Sequence, residues 1–137
     1  MVVYIFAKII HIISAIFFIG VVSFRTFITP ILKEKYDKQT YIDIDKYIGK
    51  RARSIIKVNN IFLIFSGLCL FSNHLNNMNI FIYLKVAIGL TLALTFYIVP
   101  YIMKRFKNIK WFAQFFHYLF FGLMMIVVIF SQIMQYL

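Results

Sequence analysis

Carboxylates are the scarcest functional groups in this chain: Asp and Glu together number 4 against 15 Lys and Arg in 137 residues. All of them, Glu34, Asp37, Asp43 and Asp45, fall in one short stretch, so no carboxylate relay runs through the rest of the sequence. Cysteine is nearly absent too. Cys69 stands alone inside an apolar run, which excludes an intrachain disulfide and a cysteine metal cluster and leaves a small buried apolar side chain as its role. No repeat or low-complexity segment occurs, and nothing resembles a paired nucleophile and base. Charged residues make up only 14% of the chain, too few for a soluble domain that must present a charged surface to water. The length allows one domain, 1–137, with no room for a catalytic domain beside it.

What the sequence has instead is apolar length. Hydrophobic residues account for 63% of it, and the mean hydropathy is +0.87. A helix needs about 20 apolar residues to cross the hydrocarbon of a bilayer. Four runs supply them, at about 2–28, 55–72, 80–103 and 112–136, and the first reads as a retained span rather than a cleaved signal. The segment at about 38–54 alternates Ile and Tyr with Asp, Lys and Arg at helical spacing, which predicts an amphipathic helix on the cytoplasmic face leading into the second span. The expected fold is an all-α integral membrane four-helix bundle.

The net charge of +11 does not point to nucleic acid, because the basic residues are confined to two loops between apolar runs. Lys33, Lys35, Lys38, Lys46, Lys50, Arg51, Arg53 and Lys57 lie between spans one and two, and Lys104, Arg105, Lys107 and Lys110 between spans three and four. The stretch from Ser72 to Asn79 has no formal charge. Positive loops stay in the cytoplasm, so the N-terminus, the Asn-rich loop and the C-terminus are expected outside. For a bacterium this is a multi-pass protein of the cytoplasmic (inner) membrane, with the lipid bilayer as its first partner.

Ionisable residues at membrane depth cost roughly 2.5 to 3.5 kcal/mol on insertion scales and mark functional sites by default. His11, Arg25, Lys85 and His117 qualify, with His74 at the outer edge of span two. On span one, Lys8, His11, Ser14, Phe18 and Arg25 share one face, and on span four Gln114, His117, Phe121, Met124, Ser131 and Gln135 do the same. Asn60, Gly67 and His74 align on span two, and Lys85 with Gly89 on span three. Such stripes turn toward the bundle axis. A rise of about 1.5 Å per residue puts His11, Gly67, Gly89 and Lys85 in the outer half, and His117, Arg25 and Tyr97 in the inner half.

A histidine in a dry bundle, beside glycines that leave a flat space, is what haem b requires: a neutral imidazole for iron and no side chains where the macrocycle lies. Lys85 or Arg25 could pair with its propionates. The same histidines could instead hydrogen-bond across helices with no cofactor at all. A bis-histidine site needs alpha carbons about 12 to 13 Å apart, whereas His11 and His117 differ by roughly 15 Å in depth alone. Copper or ion transport or assembly without haem is the alternative function. It would call on thioether, thiolate or paired histidine ligands, for which Met124 and Met125 are expected to be packing instead.

The run KIIHIISAIFFIGVVSFRTFITP resembles the opening helix of the HemJ and CopD-like (copper resistance D) group of small bacterial membrane proteins, with Lys8, His11, Gly20 and Arg25 at the matching places. Lys85, in YLKVAIGLTLAL, is similar to the lysine that opens the third helix of HemJ. The resemblance implies a haem b protein and oxidoreductase related to oxidation of protoporphyrinogen IX. It makes His11 the iron ligand and gives Arg25 and Lys85 to propionates of haem or of a porphyrin substrate. His117, in FFHYLFFGLMMIVVIF, suits the CopD-like side, where histidines recur in first and last spans. Phe18 stands where HemJ proteins commonly have Trp, and Gly20 is not part of a glycine pair, which implies a member of the wider group. The cofactor-binding set is thus His11, His117, Lys85, Arg25, Gly67 and Gly89, with a homo-oligomer or an electron-transfer partner expected beside it.

Overall fold

In the computed structural model the described residues are 1–73, 75, 79–134 and 136, and among them the regular elements are all helical. The principal helices are α1 (Val2–Ser23), α2 (Leu32–Lys35), α3 (Lys38–Ser72), α4 (Ile80–Arg105) and α5 (Phe112–Ile133). Four stretches, Val2–Lys35, Lys38–Ser72, Ile80–Arg105 and Phe112–Ile133, are long and apolar enough to cross a membrane. Their outward faces stay apolar, with Ile16, Phe65, Leu94 and Ile129 all exposed, as a helix facing lipid requires. His74 and Gln135 lie outside the described residues.

The first stretch does not end where α1 does. A π-helical turn, Phe24–Ile28, and a 3-10 turn, Thr29–Ile31, carry it on to α2. The cause is Pro30, which has no N–H to give and whose ring would collide with the carbonyl four residues back. The chain widens instead: the Thr29 N–H reaches back five residues to the Phe24 carbonyl, and the Thr26 hydroxyl covers the Val22 carbonyl at 2.8 Å. This wide turn sets the direction of Arg25.

The amphipathic segment and the second span, expected as separate pieces, form one helix of 35 residues. At about 1.5 Å per residue it is about 52 Å long, well beyond a hydrocarbon core of about 30 Å. Asp37 starts it by accepting hydrogen bonds from the Thr40 amide at 3.0 Å and the Thr40 hydroxyl at 2.5 Å. No proline interrupts the sequence from there to Ser72, so the helical ladder has no reason to stop at the polar-to-apolar boundary.

Packing is tightest between α1 and α3, and α4 pairs with α5. The core is one cluster in which Phe18 and Val22 of α1 meet Ile56 of α3, Leu92 of α4, and Phe120 and Met124 of α5. Phe18 sits edge-on to Phe96 with ring centres 5.8 Å apart. Hydrogen bonds between helices add to this. Asn59 donates to the Ser14 carbonyl at 2.9 Å, Asn60 to the Ala93 carbonyl at 3.1 Å, and the Tyr97 hydroxyl to the Lys57 carbonyl at 3.0 Å.

Candidate functional site

The four ionisable residues singled out in the spans fall into two groups, His11 with Lys85 on one side of the aromatic core and Arg25 with His117 on the other. At the end away from the basic loops, His11 of α1 leans onto α3, its Nδ1 lying 3.1 Å from the Leu63 carbonyl and 3.2 Å from the Ser66 hydroxyl. A carbonyl oxygen only accepts, so the Leu63 contact calls for the ring proton on Nδ1, and among the described residues Nε2 takes no hydrogen bond. Gly67 has a different part from the open slot expected of it. A β-carbon there would meet His11 Cε1 at 3.1 Å, so the glycine is what lets the imidazole lie against α3. Gly89, by contrast, has nothing within 4 Å of where its β-carbon would be.

Lys85 of α4 belongs to the same group. It is half-buried, donates to the Ser131 hydroxyl of α5 at 3.0 Å, and lies within electrostatic range of the His11 ring. Among the described residues it has no carboxylate partner. Lys8 and Gly20, which frame His11 in the sequence, are both exposed.

Arg25 and His117 sit near the basic end. Arg25 donates to Asp45 of α3 at 2.6 Å, with only 14% of the arginine side chain exposed. Gly49, one turn on, leaves room for two guanidinium groups: its β-carbon would lie 3.1 Å from Arg25 Nη2 and 3.3 Å from Arg53 Nη1. These residues and His117 line a cavity of about 650 Å³ that also takes in the C-terminal part of α4 and the loop before α5. His117 packs edge-on to Phe116, with ring centres 6.4 Å apart.

His11 and His117 are therefore not brought together. His11 is bonded at the level of Leu63 and Ser66, while the hollow lined by His117 meets α3 between Tyr41 and Arg53. Ten or more residues of helix, about 15 Å or more, separate those levels. Arg25 and Lys85 are likewise at opposite ends and cannot grip one macrocycle. Among the described residues no three His, Cys, Asp or Glu side chains gather in a group that could hold a metal ion.

Sequence reasoning missed Asp45, Gly49 and Arg53. Their spacing of four residues is the available signal, since it aligns them on one helical face, but an amphipathic helix on the cytoplasmic face turns its charged side toward water. Ser131 was on the expected stripe of span four, whereas its pairing with Lys85 depends on which helices are neighbours. No family model, no curated protein and no solved structure matches the chain.

Proposed function

We propose that the chain is a four-span protein of a bacterial inner membrane, with both termini outside the cytoplasm, that binds haem b through His11 and serves a redox or tetrapyrrole reaction of the protoporphyrinogen-oxidising kind. The observation that carries this reading is a histidine with one engaged ring nitrogen and, within its electrostatic range, a lysine whose one hydrogen-bond partner is a neutral hydroxyl. The His11 imidazole has its Nδ1 engaged, and among the described residues its Nε2 takes no hydrogen bond and the nearby Lys85 ammonium has no carboxylate. A metal-bound histidine characteristically donates its other ring N–H to a carbonyl, which fixes the tautomer. A half-buried ammonium at membrane depth favours an anion beside it.

On this reading each residue has a defined part. His11 would offer Nε2 to iron, the Leu63 carbonyl would hold the ring in register, and Lys85 would pair with a propionate. Open space at Gly89, one turn beyond Lys85, leaves the face of α4 free of side-chain bulk. When bound, haem supplies one-electron exchange at its iron. Arg25 and His117 belong to the other end and take no part in holding it.

The test is the absorption spectrum of protein purified in mild detergent from haem-sufficient cells. A Soret band with reduced-state visible bands is expected for the wild type and should be lost in His11→Ala. Lys85→Met should keep the axial bond and a detectable spectrum while weakening haem retention. A colourless wild-type preparation that also fails to take up added haemin would overturn the haem reading and leave copper or ion transport, or assembly, as the better one.

A further inference from the structure

The cavity near the basic end is not used by the haem reading, and its lining is unusual for a bundle of this composition. Arg25, Lys46, Arg53, Lys104, Lys107 and Lys110 contribute six cations to it, drawn from the end of the first stretch, from α3, from α4 and from the loop before α5. One carboxylate, Asp45, faces them, and it is already committed to Arg25. Five positive charges therefore converge without a counter-ion in the lining. Gly49 increases this concentration by letting two guanidinium groups approach one helix face, where any larger residue would push them apart. Charges that served only to orient the chain would have no reason to converge on a hollow, since they act equally well pointing into water.

The rest of the wall is apolar. Phe96, Phe112, Phe116 and Phe120 line it, and it reaches down to Val22 and Phe120 of the core. A small hydrophilic anion would satisfy the rim and leave this aromatic wall unused. The chemistry that matches both parts is an amphiphile with a phosphate head and a hydrocarbon body. At about 650 Å³ the space is in the range of well-formed small-molecule sites. On the proposed topology this end lies at the cytoplasmic headgroup level, where anionic lipids are at hand and basic pockets between helices bind their head groups.

We infer that this cavity is a binding site for one acidic phospholipid, its phosphate held between Arg53 and the Lys104–Lys110 segment and its acyl chain lying against Phe116 and Phe120. Arg53 is the principal anchor, because it is half-buried and, among the described residues, unpaired with any carboxylate. Arg25 is held by Asp45 and shapes the wall. The site does not depend on haem at His11.

The test uses delipidated full-length protein in neutral detergent and follows the thermal unfolding midpoint as ligand is titrated. Short-chain phosphatidylglycerol should raise the midpoint, while phosphatidylcholine of the same chain length, glycerol phosphate and inorganic phosphate should not. Arg53→Gln/Lys107→Gln should weaken the phosphatidylglycerol response at least about tenfold, roughly the worth of one charge-assisted hydrogen bond. Lys33→Gln/Lys38→Gln removes the same charge outside the lining and should leave the response intact. Native mass spectrometry of the wild type, which needs no variant to fold, should show one acidic lipid retained per chain. Equal stabilisation by phosphatidylcholine or by inorganic phosphate, an equal loss in the Lys33/Lys38 variant, or no retained acidic lipid would each overturn the site. Haem content is read separately by absorbance, so failure here leaves the haem reading untouched.

Discussion

At the scale of single residues, the bundle spends its few polar side chains where two helices must be held together, and glycine and asparagine show this best. Gly67 faces the His11 ring so closely that Gly67→Ala must push the imidazole aside by a few tenths of an ångström, since the new β-carbon would lie 3.1 Å from Cε1. That substitution should shift the haem spectrum or reduce haem content, while Gly89→Ala, in open space, should leave the fold unchanged. Asn60 presents a different balance. It is 0% exposed, its amide donates to the Ala93 carbonyl, and among the described residues its Oδ1 has no hydrogen-bond partner. An orphaned buried acceptor offsets much of what one interhelical hydrogen bond contributes, about 0.6 to 2 kcal/mol in membrane bundles. Asn60→Leu should therefore change the thermal midpoint little, whereas Asn60→Ala should lower it through the cavity it leaves. A large loss with Leu would mean that the asparagine bond dominates the α3–α4 contact.

At the scale of elements, the start of α3 rests on one exposed cap. The Thr40 hydroxyl and amide, by donating to the Asp37 carboxylate, hold its pKa below the ordinary 3.8. A carboxylate whose folded pKa is depressed contributes its stabilisation in full above the ordinary value and loses it as pH falls through the lowered one. Protection of the first-turn amides of α3 should accordingly fall in acid below about that ordinary range. Asp37→Asn should keep the cap and remove the acid dependence, and Asp37→Ala should expose the first turn at every pH, both readable by hydrogen exchange. Helix length was legible in the sequence where apolar run and span coincide, as at Ile80–Arg105. It was not legible for Lys38–Ser72, because hydropathy reports what enters lipid and says nothing about a helical ladder that continues into water. The same blindness hid the Arg25–Asp45 pair: the arginine was visible as a cation at membrane depth, but its partner was assigned to a loop. The hydrogen bond from the His11 ring to the Leu63 carbonyl depends on how α1 is rotated against α3, which depth along the sequence does not give.

At the scale of the whole molecule, every carboxylate and 11 of the 15 Lys and Arg residues fall in the two segments between the apolar runs at the cavity end, leaving Lys8, Arg25, Lys57 and Lys85 as the cations within the runs. On the proposed topology the basic end of this charge dipole lies in the cytoplasm and the uncharged α3–α4 connection outside, the placement that positive loops favour. Cysteine placement tests this directly. Cys69 is half-buried and is first replaced by Ser, so that a single new thiol reports. Asn79→Cys, at the exposed start of α4, should react with an impermeant maleimide added to intact cells, and Lys35→Cys, exposed at the end of α2, should react only after the membrane is opened. The reverse pattern would turn the molecule over. It would put the basic cavity on the outer face, away from the cytoplasmic leaflet its lipid is drawn from, and His11 with Lys85 in the inner half. The haem reading would survive such a reversal, because it rests on the His11–Leu63 bond and on Lys85 having no carboxylate partner among the described residues, neither of which depends on which side is which.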